Sequence, residues 1–197
     1  MSNAADERCS AFALGYTPCV RRPVDPPAVL RLLEALGRRA RGPGGVYLTG
    51  GATALLLGWR TSTNDVDIKL DPEPDGVFEA IASLKNELDV NVELASPDLF
   101  IPELPGWRER SRFVGEFGKL QVFHYDLRAQ ALAKLARGVD RDLLDVRAML
   151  DLGLVSRQDL RDAFEAIRTR LIRFPRLDEA SFAAAVAHVC DQEGGTP

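Results

Sequence analysis

The chain has 197 residues, a formal charge of −4 and 46% hydrophobic residues, enough for a core in one domain or one domain with a helical appendage. No stretch approaches the roughly 20 apolar residues of a membrane span, and the opening MSNAADERCS lacks a cationic start followed by an apolar run, so no membrane or secreted protein is expected. The three cysteines, Cys9, Cys19 and Cys190, show no metal-site or redox spacing, and a reduced, cytoplasmic protein is the expectation.

Residues 1–20 read as poorly ordered. Asp25-Pro26-Pro27 starts a helix, because Asp caps and Pro is tolerated in the first turn; Val29, Leu32, Leu33 and Leu36 give it one apolar face. A glycine-rich turn at 42–45 leads to a β-rich run at 46–48, then Gly50-Gly51, then a compact apolar segment at 52–57 closed by Gly58. Residues 65–70 resume as a strand, and Asp71-Pro72-Glu73-Pro74 breaks the chain. Val77, Ile81, Leu84 and Leu88 repeat with helical spacing, whereas Val90, Val92 and Leu94 alternate as a strand. Pro97, Pro102 and Pro105 mark an irregular stretch to about Trp107, either a site rim or a rigid connector. Segments 113–117 and 120–125 form a hairpin around Gly118-Lys119, where Gly supplies a positive φ. Beyond Asp126 the pattern is helical at 126–137, 140–151, 157–171 and 178–190, with Gly138 and Gly153 as terminators and Ser156/Asp159 as a capping box. The expected fold is α+β: a small mixed sheet with helices on one side (residues 21–125), followed by a C-terminal helical bundle (126–197) packed against it.

The most informative feature is Gly50-Gly51 followed by Asp65-Val66-Asp67. Carboxylates two apart on a strand share a face. Like charges held so close call for a cation. Glycines before a helix present backbone N–H groups to a phosphate, although any tight turn also favours glycine. Together they point to metal-assisted phosphoryl or nucleotidyl transfer. Glu93 shares its outward strand face with Asn91, opposite Val92 and Leu94, which makes it the candidate third acid, with a solvated strand residue as the alternative. Asp89 reads as a helix-end cap. Charge is uneven: six arginines stand against two acids over 21–41, eleven acids against two lysines over 65–103, and six arginines against three acids over 157–176. Basic surfaces flanking such a site suit an RNA or nucleotide substrate, and equally suit ordinary solvated helix faces.

Gly50-Gly51, Arg60, Ser62 and Asp65-x-Asp67, with the later Lys134-x-x-Arg137 and Arg141-Asp142-x-x-Asp145, resemble the nucleotidyltransferase superfamily of minimal polymerase-β-like fold. Within it the chain looks closest to the AbiEii-type toxin-like nucleotidyltransferases and their uncharacterised relatives, over roughly residues 43–150. The resemblance implies that the glycines and the following helix hold the triphosphate. Asp65, Asp67 and a third acid, Glu93 here where the family usually has aspartate, would hold magnesium. Relatives of the toxin type add nucleotides to RNA, notably transfer RNA, and are restrained by a separately encoded antitoxin. The expected activity is therefore magnesium-dependent transfer of a nucleoside monophosphate from a nucleoside triphosphate to an RNA or protein hydroxyl. The alternative is a weak or inactive nucleotide- or partner-binding protein of the same fold.

Lys134 and Arg137 share a helix face and are candidates to neutralise phosphate charge, Lys134 also as an ordinary exposed lysine. Asp142 and Asp145, three apart on the next helix, either orient those cations or help place substrate. Arg60 divides between phosphate contact and helix-end support. Ser62, Thr49 and Thr53 offer hydroxyl donors or bond their own backbone. His124 and His188 form no metal motif; His124 ends a strand or lines the cleft. Phe113, Phe117, Phe123 and Phe164 are expected in the core, and Trp59 and Trp107 at a domain edge, with stacking against a base as the alternative.

Overall fold

The computed structural model describes residues 21–191; the expectations for residues 1–20, including Cys9 and Cys19, lie outside them. Helix α1 (Pro26–Arg39) begins as the Asp-Pro-Pro signal predicts. The Asp25 carboxylate accepts from the Ala28 N–H at 2.8 Å, and Val29, Leu32, Leu33 and Leu36 are buried. Strand β1 (Gly44–Thr49) runs into α2 (Gly50–Leu57), which Gly58 ends with a φ of 92°. Then come β2 (Asp65–Leu70), α3 (Val77–Glu87) and β3 (Asn91–Leu94). Asp89 occupies the left-handed region just after α3, so its place is the helix end.

A 3₁₀ turn (Pro97–Leu99) and the short α4 (Trp107–Arg110) precede the hairpin of β4 (Arg112–Phe117) and β5 (Leu120–His124). Gly118 turns this hairpin at φ 61°. Four helices follow: α5 (Leu127–Arg137), α6 (Asp140–Asp151), α7 (Arg157–Arg168) and α8 (Glu179–Asp191). Ser156 and Asp159 make the expected reciprocal capping box on α7. That helix stops at Arg168 rather than at 171; a separate 3₁₀ turn covers Leu171–Arg173.

The five strands form one mixed sheet in the order β3-β2-β1-β5-β4, with β1–β2 and β4–β5 antiparallel and β1–β5 and β2–β3 parallel. Alternation of side chains along each strand divides its two faces. Val46, Leu48, Val66, Ile68, Val92 and Val122 point to one face and join α1, α2 and α3 in an apolar cluster. Tyr47 on the other face enters a second cluster built by α5–α8 with Ile101, Leu104 and Trp107. Trp107 stacks on Tyr125 with ring centroids 4.4 Å apart, so it is core. Phe164 is buried, but Phe113 is not: β4 is an edge strand and leaves it 58% exposed.

Candidate active site

Because Val66 and Ile68 are buried in the first cluster, the pleat of β2 turns Asp65, Asp67 and Lys69 to the other face. Register then sets their neighbours. Asp67 pairs with Thr49 of β1 on one side and Glu93 of β3 on the other, while Asp65 pairs with Asn91. The Asn91 amide donates to Asp65 at 2.6 Å and to Glu93 at 3.0 Å. Both carboxylates thus lie around a single nitrogen. Asp67 and Glu93 line one wall of a cleft of about 140 Å³, whose opposite wall is Gln130, Lys134 and Arg137 of α5. Gly50 and the segment from Ala95 to Phe100 close its remaining sides, so the Pro-rich stretch begins as a rim of the cleft.

The glycines have different reasons. Gly50 has φ +53°, and a Cβ there would run into the Asp67 carboxylate. It is required both by its conformation and by the close approach of that acid. Its N–H donates to Gln130 Oε1 at 2.9 Å. Gly51 is buried, and a Cβ there would collide with the Thr63 side chain, so packing alone dictates that residue.

Lys134 is buried but fully paired. Its Nζ lies 3.2 Å from Asp142 and 2.5 Å from Asp145. Arg137 grips Asp142 with two hydrogen bonds at 2.9 and 2.7 Å, and its guanidinium sits 5.0 Å from the Phe100 ring centre. Arg60 does the same to Asp145 at 2.8 and 2.5 Å, with Trp59 Nε1 adding a third donor at 3.2 Å. Arg60 therefore ties the α2–β2 connection to α6 and stands outside the cleft lining. Ser62 is exposed and also outside it. Asp142 and Asp145 lie behind the lysine and hold the cations in position.

The electrostatics of the cleft follow from this layout. Burial, then the facing Glu93 and Asp65 carboxylates, push Asp67 up to about 6, against the opposing pull of Arg137 and Lys134. Among the described residues no three His, Cys, Asp or Glu side chains are grouped to hold a metal ion. The donors nevertheless suit a hard divalent cation: oxygen ligands, with a repulsion at Asp67 that Arg137 and Lys134 offset only in part. Asp67 and Glu93 face the cleft as they stand, and Asp65 is held to Glu93 through Asn91. His124 has no part in this. It is buried, hydrogen-bonded to Thr53 at 3.3 Å, and pushed down to about 4 by burial and Arg112. Thr53 donates to the Leu48 carbonyl, so His124 Nδ1 is the donor in that contact.

Two polar residues of the site carry no motif. Gln130, buried, links the Gly50 N–H, the Tyr125 carbonyl and Thr53. A trace of it is visible as the polar series Gln130, Lys134, Arg137 along one face of a helix whose other residues, Arg128 apart, are apolar. Asn91 shares the strand parity of Glu93, but nothing in the sequence marks it as the bridge. Phe100, in the rim, is likewise unmarked.

This geometry accords with a family match over residues 31–183, described as nucleotidyltransferase of unknown function (DUF6036). No curated protein and no solved structure matches the chain. The chain thus belongs to the DUF6036 family of nucleotidyltransferases.

Proposed function

We propose that the cleft binds a nucleoside triphosphate with magnesium and transfers its nucleoside monophosphate to an acceptor hydroxyl. The new bond joins the acceptor oxygen to the α-phosphorus; the bond to the β-phosphate oxygen breaks, pyrophosphate leaves, and the hydroxyl proton passes to solvent. The observation that carries this reading is the opposition of Asp67 and Glu93 to Lys134 and Arg137 across one cleft with Gly50 between them.

Asp67 and Glu93, with Asp65 beside them, would hold the magnesium, whose contribution when bound is to polarise phosphate oxygens and neutralise their charge. Arg137 is the freer of the two α5 cations that line the cleft, its side chain 39% exposed against 5% for Lys134, and is placed to draw the triphosphate's charge toward that wall. Lys134, locked between Asp142 and Asp145, adds a fixed positive field rather than a mobile contact. The Gly50 N–H must exchange Gln130 for a phosphate oxygen, while the Gln130 N–H groups stay on the Tyr125 carbonyl and Thr53.

The resemblance to toxin-like relatives adds an RNA acceptor, a separately encoded antitoxin and work in the cytoplasm, where triphosphates are supplied. Incubation with labelled nucleoside triphosphates and total RNA should give magnesium-dependent label transfer that the Asp65→Asn/Asp67→Asn pair abolishes. Full activity in that double variant would sink the site. Growth arrest on expression, relieved by the same pair, tests the toxin reading.

A second reading has one observation in its favour. The Asn91 amide already lies between Asp65 and Glu93, supplying donors where a cation would otherwise sit. That suits a nucleotide-binding protein without turnover. Calorimetry showing triphosphate binding, with no transfer to any acceptor class, would favour it.

A further inference from the structure

Beyond Phe100 and Arg137, and sharing both with the cleft, lies a groove of about 460 Å³ whose far side is the segment after α7: Arg173, Phe174, Pro175, Arg176 and Leu177. Its charge is specific. In the run from Arg168 to Arg176, Arg168 is neutralised by Glu165 and Glu179, and Arg170 donates to the Ala166 carbonyl. Arg173 and Arg176 are exposed, and among the described residues neither has an acidic partner. Two uncommitted guanidinium groups, on either side of Phe174 in the chain, thus line a concavity that opens from the transfer cleft, together with the partly exposed Phe174 and Phe100 rings, the latter carrying the Arg137 guanidinium.

We propose that this groove holds the acceptor as a single-stranded RNA end, with phosphates against Arg173 and Arg176 and bases against Phe174 and Phe100. The proposal rests on the reading of the cleft as a nucleotidyl-transfer site. Guanidinium groups alone would take any polyanion; rings beside them add the flat apolar contact that unstacked bases use and an acidic peptide does not. A duplex would withhold its bases from both rings. The cleft is small, about 140 Å³, so an acceptor chain must run outward from it, and the groove is where the charge and rings continue.

The test is fluorescence anisotropy of a short, unstructured, labelled RNA with the full chain, in chelator and without triphosphate, so that binding is read apart from catalysis. Arg173→Ala/Arg176→Ala should weaken binding about tenfold or more and lower the salt slope of log K by about 1.4, the value for two phosphate contacts on a single strand. Arg173→Lys/Arg176→Lys should keep the slope. Phe174→Leu should cost about tenfold with the slope unchanged, the signature of lost stacking. Wild-type affinity in the double alanine variant, or equal competition by an acidic polypeptide, overturns the proposal. Should that variant not fold, a wild-type salt slope near zero overturns it as well. RNA binding that depends on the arginines without any label transfer by the wild type leaves the groove standing and sinks the transfer reading; transfer indifferent to the arginines does the reverse.

Discussion

Asp67 and His124 titrate in the same acidic range with opposite consequences for stability. Asp67 is raised from 3.8 to about 6. Between those values the folded chain keeps a proton that the unfolded chain has released, so this contribution to stability falls as pH rises and the full penalty stands above about pH 6. Its size is about 2–3 kcal/mol. Asp67→Asn should therefore be more stable than wild type at neutral pH in chelator, by about 1–3 kcal/mol in urea denaturation, and the difference should vanish toward pH 4. A less stable variant at neutral pH would contradict the account of a carboxylate that is buried and crowded by Glu93 and Asp65.

His124 is lowered from 6.5 to about 4. Here the unfolded chain takes up the proton first, so stability is whole above 6.5 and is lost as pH falls toward 4, by about 3 kcal/mol. Relative to wild type, His124→Gln should flatten that acid-side loss, read as a smaller drop in melting temperature from pH 6.5 to 4.5. An unchanged drop would mean that the imidazole already titrates normally. Neither shift is legible in the sequence, since each depends on what the fold stacks above the residue. The outward face of Glu93 was legible from strand parity; its place opposite Asp67 rests on the pairing of β2 with β3, which only the family resemblance implied. The distinct need for each glycine was not: Gly51 answers to Thr63, twelve positions away, through packing alone.

At the scale of elements, α5 and α6 are joined by charge as well as by apolar contact. Lys134 between Asp142 and Asp145, with Arg60 and Arg137 outside, is a buried network in which every charge has a partner. Removing one partner leaves an uncompensated buried charge. Asp145→Ala strips the acceptor from Trp59, Arg60 and Lys134 at once and should cost about 3–5 kcal/mol. Arg137→Ala, at a half-open position, should cost about 1 kcal/mol. Chemical denaturation checks both, and equal losses would contradict the network as described. It follows that a Lys134 variant confounds activity with folding, and Arg137 is the cleaner probe of phosphate charge. Helix starts and stops were readable where a cap is local, as at Asp25, Ser156 with Asp159, and Gly138; the stop of α7, which no glycine marks, was expected at 171 rather than at Arg168. The role of Asp142 and Asp145 was readable only as a choice, because the same i, i+3 spacing serves a salt-bridge network or a substrate contact. Phe113 was misplaced for a different reason: hydrophobicity names a candidate for burial, and only the strand order shows that β4 is an edge.

The whole molecule places a mixed sheet between two apolar clusters, α1–α3 on one face and α5–α8 toward the other, and the cleft lies where the second face is left uncovered beside α5. The order β3-β2-β1-β5-β4 is what brings the two halves of the chain to one cleft, and no local pattern encodes it. Elements in sequence are read from neighbours a few residues apart; strand order is decided by long-range pairing. The central claim is that Asp67 and Glu93 act with the α5 cations as one transfer centre. Its most direct measurement is the rate of labelled nucleotide transfer against magnesium concentration for wild type, Asp67→Asn and Glu93→Gln, each confirmed folded. The account predicts a loss of about 100-fold or more for each variant, the scale of removing a principal electrostatic stabiliser, with a raised magnesium requirement for Glu93→Gln. Wild-type rate and wild-type magnesium dependence in either variant would contradict it.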